Sequence, residues 1–154
     1  MENSRNTPEM IGLLQRVTRA SVAVGDATIA EIGPGLLVLV GVQRDDTEHS
    51  VVRLAERILT YRVFPDDTGR MNRSLLDAGL GLLLVPQFTL AADTRKGRRA
   101  SFTTAAAPEA GQAFFERLAG ACRDRLGRVE TGQFGASMQV SLVNDGPVTF
   151  WLES

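Results

Sequence analysis

Hydrophobic residues follow two different spacings along this chain, and the first of them is typical of strands. Residues 11–17, 20–24 and 27–32 predict three strands, with Gly25-Asp26 as a tight hairpin turn between the last two. Residues 35–42 form a continuous apolar run, which favours a strand that is buried on both faces. Further strands are predicted at 80–85, 129–133, 138–143 and 148–152.

Two other segments carry apolar residues at helical spacing. The first follows Asp45-Asp46-Thr47, which can cap a helix, and its apolar stripe is Val51, Leu54, Ala55, Ile58 and Leu59. The second runs from Pro108 to about Leu126, with Phe114, Phe115, Leu118, Ala119 and Cys122 on its inner face. The pattern predicts an α+β fold in one domain, with a mixed sheet and two main helices.

Length and composition restrict the class of protein. A chain of 154 residues fits one domain, which buries roughly 70% of the surface of its unfolded chain. Its single cysteine excludes an internal disulfide and favours a reducing, cytoplasmic setting. No apolar run approaches the roughly 18 residues of a membrane span, so we expect no membrane association.

The sequence offers few side chains for catalysis. His49, the only histidine, falls at the start of the first predicted helix, and Cys122 falls on the inner face of the second. These two positions do not make a nucleophile and base pair. No cluster has the spacing of a zinc site, and Gly33-Pro34-Gly35 lacks the other glycines of a phosphate loop. We therefore expect no metal and no cofactor.

A site built from backbone dipoles is the remaining possibility. Gln87-Phe88-Thr89 follows one apolar strand and Gly146-Pro147 follows another. The backbone N–H groups of Phe88 and Thr89 can stabilise an oxyanion, and one such donor is worth on the order of 3 kcal/mol in kcat. Thr89 can also be a nucleophile, but without a base the role of a strand hydroxyl that bonds nearby backbone is favoured.

Positive charge is concentrated in one short segment. Arg95, Lys96, Arg98 and Arg99 place four cations in five residues, although the net charge of the chain is −1. Such a segment can bind the phosphates of a nucleic acid, and it can equally be a solvated basic loop.

Two peptides in this chain resemble the paired signatures of the D-aminoacyl-tRNA deacylases, usually written SQFTL and NxGPVT. They are Gln87-Phe88-Thr89-Leu90 and Asn144-Asp145-Gly146-Pro147-Val148-Thr149. The resemblance runs collinearly from about Met10 to Ser154, and it implies the barrel-like sheet of that family. We therefore expect residues 10–154 to form a D-aminoacyl-tRNA deacylase domain, and residues 1–9 to be a disordered extension or a misplaced start.

The resemblance also implies a reaction. Family members hydrolyse the ester that joins a D-amino acid to the terminal adenosine of tRNA, a chiral proofreading step in translation, and glycyl-tRNA is a further expected substrate. Gln87, Phe88 and Thr89 would form the catalytic peptide. The backbone would stabilise the oxyanion, and the terminal 2'-hydroxyl of the tRNA would assist attack.

A homodimer with active sites at the subunit interface is implied as well. Each subunit would insert Gly146-Pro147, with a cis peptide bond, into the pocket of the other and so reject L-substrates. Arg16 and Asn144 would support this motif, and the basic segment 95–99 would bind the aminoacylated 3' end of tRNA.

One position departs from the family pattern. Pro86 stands where the family usually carries serine, so the chain loses a hydroxyl and a backbone N–H at the edge of the pocket. This departure leaves an alternative function, which is deacylation of mischarged L- or achiral aminoacyl-tRNA with relaxed chirality. The basic segment leaves a second alternative, in which the chain is a non-catalytic RNA-binding module.

Overall fold

The computed structural model describes residues 9–154 and has the expected α+β fold. Its strands are β1 (Ile11–Val24), β2 (Ala27–Ile32), β3 (Gly35–Gly41), β4 (Phe64–Pro65), β5 (Met71–Arg73), β6 (Gly81–Pro86), β7 (Val129–Thr131) and β8 (Gln139–Glu153). Its α-helices are α1 (Glu48–Thr60), α2 (Leu75–Ala78) and α3 (Pro108–Arg123), and a 3-10 turn covers Phe88–Ala91. The extension predicted for residues 1–9 lies outside the described residues, except for Glu9.

β1 organises the sheet because it pairs with three other strands. Along one side it is antiparallel to β8 from Ile11, opposite Glu153, to Ala23, opposite Gln139. Along its other side it pairs first with β3 and then with β2. The sheet continues from β3 through the parallel strands β6 and β7. The result is a mixed, barrel-like sheet, as expected.

Two apolar cores stabilise this sheet. The larger core lies between the sheet and the helices and includes residues of α1, α3, β3 and β6. The smaller core lies inside the curved sheet and includes Val22, Ile32, Leu37 and Leu83. β3 contributes alternate residues to the two cores, which explains its continuous apolar sequence and confirms its burial on both faces.

The helices begin and end close to their predicted limits. Thr47 caps α1 in a capping box with Ser50, while the neighbouring Asp46 is buried. Pro108 occupies the first turn of α3, and Cys122 lies on its buried face as predicted. The helix ends at Arg123, earlier than the predicted Leu126.

Some local predictions are wrong. β1 is one strand where residues 11–17 and 20–24 were expected to form two, and β8 is one strand across 144–147. β5 and the short helix α2 are further elements that the hydrophobic spacing does not predict. Thr89 belongs to the 3-10 turn and not to a strand. In each case the long pairing or the turn depends on tertiary contacts that local spacing does not report.

None of the helices among residues 9–154 has the length and apolar character needed to cross a membrane.

We predict that Gly35→Ala destabilises the fold strongly and that Gly33→Ala does not. A Cβ atom at Gly35 would lie 1.9 Å from the backbone oxygen of Gly81 in the adjoining parallel strand, whereas a Cβ atom at Gly33 meets no atom within 4 Å. Separating β3 from β6 should cost about 2 kcal/mol or more in the free energy of unfolding. Urea unfolding of both variants measures this change in the free energy of unfolding. Equal midpoints for the two variants would contradict the close approach of these strands.

Candidate functional site

The peptide Gln87-Phe88-Thr89 lies where β6 leaves the sheet. β6 ends at Pro86, and the backbone N–H of Gln87 donates to the carbonyl oxygen of Val40 in β3 at 2.7 Å. The chain then turns into the short 3-10 helix, which the N–H of Leu90 closes onto the carbonyl of Gln87 at 3.2 Å. This turn carries Phe88 and Thr89 outward, and both are exposed.

Two backbone donors are free in this turn. Among residues 9–154, no acceptor is present for the N–H groups of Phe88 and Thr89, as expected for the first residues of a helical turn. The amide of Gln87 donates to the hydroxyl of Thr89. The threonine hydroxyl is therefore engaged with a neighbouring side chain, while the adjacent backbone donors have no partner among residues 9–154.

A pocket of about 490 Å³ adjoins the Gln87-Phe88-Thr89 peptide. This volume is in the range of small-molecule sites. Its lining is mainly apolar and comes from three parts of the chain. The end of β6 and the turn after it provide Val85, Pro86, Gln87 and Phe88; the junction with α3 provides Ala106 and Pro108; and the segment before β8, with the start of that strand, provides Phe134, Gly135, Ala136, Met138 and Val140. Pro86 thus adds apolar surface where a polar side chain would offer a hydrogen bond.

The basic segment is attached to the edge of this pocket. Asp93 and Ser101 pair as an antiparallel bridge at its base, and the ring of Phe102 packs against that of Phe88 with centroids 5.3 Å apart. Arg95 is bound to the carboxylate of Asp93 through its Nε and Nη2 atoms, at 3.0 and 2.9 Å, and this pairing lowers the pKa of Asp93.

The other cations of the segment have no such partner. Lys96, Arg98 and Arg99 are exposed and make no ion pair within the described part of the chain. The segment therefore carries three uncompensated positive charges beside the pocket.

The Gly146-Pro147 peptide forms a bulge in the middle of β8. Gln15 of β1 pairs with Thr149 and Val17 pairs with Asn144, so four residues of β8, 145–148, stand opposite one residue of β1. Asn144 closes the bulge: its side-chain oxygen accepts from Val148 N at 2.8 Å, and its amide donates to the Thr149 hydroxyl at 2.8 Å. The peptide bond between Gly146 and Pro147 is cis.

Arg16 is the residue opposite the bulge, and it holds the bulge in place. Its Nε donates to the carbonyl oxygen of Asp145 at 3.0 Å, and its Nη1 donates to the carbonyl oxygen of Val63 at 2.7 Å. The Asp145 carboxylate lies 3.7 Å from the same Nε. One guanidinium therefore connects the bulge to the segment that follows α1.

Gly146 has a backbone conformation that other residues rarely adopt, with φ of +136°. A Cβ atom there would lie 2.7 Å from Cγ2 of Val148 and 3.2 Å from Nη2 of Arg16. The bulge thus has no room for a larger residue at this position.

The bulge and the pocket are separate in one copy of the chain. Val140 lines the pocket, and Gly146 lies six residues further along β8, roughly 15 to 20 Å away at the rise of a strand. Neither Gly146 nor Pro147 belongs to the pocket lining. The structure therefore brings together Gln87, Phe88 and the basic segment, and separately Arg16, Asn144, Gly146 and Pro147.

Other reactive groups lie away from the pocket. His49 is exposed in the first turn of α1. Cys122 is buried in the larger core, and burial raises the pKa of its thiol to about 12. Among residues 9–154, no three His, Cys, Asp or Glu side chains are grouped to hold a metal ion.

One buried carboxylate, that of Asp46, closes the turn before α1. Asp46 accepts a hydrogen bond from Gln43 N at 2.6 Å, has one oxygen without a partner among residues 9–154, and has its pKa raised by burial. The turn that it closes pairs with the irregular segment before α3, through Arg44 N to Thr104 O at 2.9 Å. Asp46 thus supports the segment that carries Ala106.

Sequence reasoning missed several pocket residues. Phe134 and Ala106 lie in irregular segments between elements, where neither periodicity nor a motif marks them, and Met138 was expected only as the first residue of a strand. Phe102 gave a usable signal, because an aromatic residue three positions after the last arginine of a basic run is typical of a nucleic-acid surface.

Comparison with known proteins places this geometry in a family. The family model described as D-Tyr-tRNA(Tyr) deacylase matches residues 13–153. Relatives named D-aminoacyl-tRNA deacylase are 64% identical in Alkalilimnicola ehrlichii, over 94% of this chain and 97% of theirs, and 61% identical in Xanthomonas axonopodis pv. citri, over 93% and 99%.

Solved structures agree with this placement. A chain described as c-Myc DNA Unwinding Element Binding Protein is similar at a TM-score of 0.89 and 39% identity, covering 94% of this chain and 98% of that one. A probable eukaryotic D-amino acid tRNA deacylase shares the fold, with a TM-score of 0.85 at 18% identity, covering 96% of this chain and all of its own. With its matched signatures, its barrel-like sheet and these relatives, the chain belongs to the D-Tyr-tRNA(Tyr) deacylase family.

Proposed function

We propose that this chain hydrolyses the ester bond of D-aminoacyl-tRNA and of glycyl-tRNA, releasing the free amino acid and tRNA. The observation that carries this proposal is the pair of free backbone N–H groups at Phe88 and Thr89 beside an apolar pocket. Such donors stabilise the oxyanion that forms when an ester carbonyl is attacked. Family membership indicates which ester is the substrate, namely that of an aminoacyl-tRNA.

The side chains near the pocket support substrate-assisted attack. Gln87 and Thr89 are the polar side chains nearest the free donors, and neither is a base. His49 and Cys122 lie elsewhere in the fold. In this mechanism the 2'-hydroxyl beside the ester activates the attack, and Gln87 and the backbone orient the carbonyl.

The same proposal makes the active unit a homodimer. β8 pairs only with β1 within the described residues, so its other edge leaves backbone groups unpaired over much of 15 residues. Val143 and Trp151 on this strand are 40% and 50% exposed. A long, apolar, open edge is a pairing surface, and an isologous contact between two copies covers it on both.

The dimer also accounts for the separation of bulge and pocket. Because the bulge is too far from the pocket of its own chain, Gly146-Pro147 reaches a pocket only in the partner. Its backbone carbonyls would then face the amino group of the substrate and exclude an L-side chain. Arg16 and Asn144, which fix the bulge, act as positioning residues for this contact.

Lys96, Arg98 and Arg99 bind phosphates at the 3' end of the tRNA in this proposal. They carry uncompensated charge, and the Phe88–Phe102 contact keeps their segment at the pocket. Arg95 has a smaller part, since its guanidinium is engaged by Asp93. Charge of this kind sets the salt dependence of binding.

The test of the function is deacylation of D-, L- and glycyl-esters of one tRNA by the purified chain. We expect hydrolysis of the D- and glycyl-esters and survival of the L-ester. Comparable hydrolysis of all three would favour the relaxed deacylase that Pro86 keeps open. Binding of tRNA without hydrolysis of any ester would show a non-catalytic RNA-binding module.

We predict that Thr89→Ala retains most activity, within about tenfold of the unaltered chain, whereas loss of a nucleophile costs about 10⁴-fold. The variant loses only a hydroxyl that accepts from Gln87. Replacing the terminal 2'-hydroxyl of the tRNA with hydrogen should slow the reaction more. Single-turnover rates measure both changes, and an acyl-enzyme trapped on Thr89 would overturn the mechanism.

We predict that changing Arg98 and Arg99 together to Ala weakens tRNA binding and flattens its salt dependence, by up to about one unit of log–log slope for each lost phosphate contact. Arg123→Ala, which removes an exposed charge at the end of α3, is the matched control. Binding titrations at several salt concentrations make the comparison. A slope equal to that of the control would exclude the segment from the interface.

A further inference from the structure

A second recess lies near the bulge. It has a volume of about 520 Å³ and is open to solvent. We call it the arginine–aromatic groove; its lining is Arg57, Thr60, Tyr61, Arg62, Met71 and Phe150. None of these residues lines the catalytic pocket.

The groove combines flat apolar surface with positive charge. The rings of Tyr61 and Phe150 meet edge to face with centroids 5.5 Å apart, and the guanidinium carbon of Arg57 lies 5.8 Å from the centroid of Tyr61. Arg62 is exposed and makes no ion pair or hydrogen bond within residues 9–154. Aromatic faces stack bases, and arginine binds phosphate or stacks in turn.

Two nearby acids keep their charge but are held by local hydrogen bonds, and neither makes an ion pair with an arginine of the groove among residues 9–154. Asp77 caps α2 by accepting from Ser74 N at 2.9 Å. Asp66 holds the turn before β5 by accepting from Thr68 N at 2.8 Å and Arg70 N at 3.0 Å. The groove therefore suits an anionic ligand that has a planar, unstacked ring.

Its position relates the groove to the bulge. Arg16 binds the backbone of Asp145 and of Val63 at once, which places the segment after α1 against the bulge. Phe150 follows Pro147 by three residues of β8, or about 10 Å. Whatever the bulge touches in a partner subunit, the groove lies beside it.

We propose that the groove binds the single-stranded nucleotides that precede the terminal adenosine of the tRNA, when that adenosine occupies the pocket of the partner. The inference rests on the proposed function, since it takes the ligand and the dimer from there. Each subunit then supplies both the bulge and a nucleotide subsite to its partner. Single-stranded RNA is the fitting ligand because its bases are free to stack, whereas those of a duplex are not.

Three D-aminoacyl esters of increasing length test the groove: aminoacyl-adenosine, aminoacyl-CCA and aminoacyl-tRNA. Arg62→Ala should lower kcat/KM about tenfold on the two longer esters, the loss of one stacked or phosphate contact, and leave aminoacyl-adenosine unchanged. Arg62→Lys, which keeps the charge but not the planar fork, should recover part of the loss. Arg123→Ala is again the control.

Every other result would contradict the proposal that the groove binds these nucleotides. An equal loss on all three esters would assign Arg62 to the fold or the catalytic pocket, and a loss on tRNA alone would assign it to the duplex stem. If Arg62→Ala leaves kcat/KM unchanged on all three esters, Arg62 takes no part in binding. If the unaltered chain cleaves none of the esters, the proposed function fails, and direct binding of a CCA trinucleotide decides separately: equal binding by the chain and by Arg62→Ala excludes the groove.

Discussion

The pairing of β1 with β8 is the constraint on which the rest of the structure depends. β1 runs for 14 residues and holds β8 along one side, while β3 and β2 share the other. Through β3 it fixes β6, whose end carries the Gln87-Phe88-Thr89 peptide. Through β8 it fixes the bulge and leaves an open strand edge. One strand therefore sets both halves of the proposed site and the distance between them.

The chemistry follows from what this arrangement lacks. The pocket has apolar walls and adjoins two free backbone donors, and the polar side chain of Gln87 in its lining already bonds to the Thr89 hydroxyl. In the proposed mechanism this site stabilises a developing oxyanion without supplying a base, and the substrate contributes the activating group. In the same proposal, backbone groups around the α-carbon provide the specificity, because they exclude the L-enantiomer.

Sequence patterns predicted the elements that local physics determines. The apolar run of β3 and the capping residue Thr47 behaved as expected, because burial on two faces and an unpaired helix start leave direct marks in the sequence. The continuity of β8 has no such mark in the sequence, because Gly146-Pro147 is typical of a strand end. The strand continues past these residues because it pairs with β1 on both sides of them.

Only part of the pocket was predictable, because some of its residues meet through tertiary contacts. Its motif residues were recognisable, but Ala106 and Phe134 reach it from loops that the fold brings together. The arginine–aromatic groove likewise joins Arg62 to Phe150, 88 positions apart, through the contacts of Arg16. Contacts of this range are not encoded in local spacing.

The central claim is that the Gly146-Pro147 bulge of one copy completes the pocket of another. Subunit complementation tests it directly, with Ala106→Trp to fill the pocket and Gly146→Ala to crowd the bulge. Each variant alone should be impaired, whereas mixed dimers purified through two different tags should recover about half of the unaltered D-aminoacyl-tRNA deacylase activity, since one of their two sites is intact. Mixed dimers no more active than the parent variants would show that bulge and pocket act within the same chain, and would contradict the account.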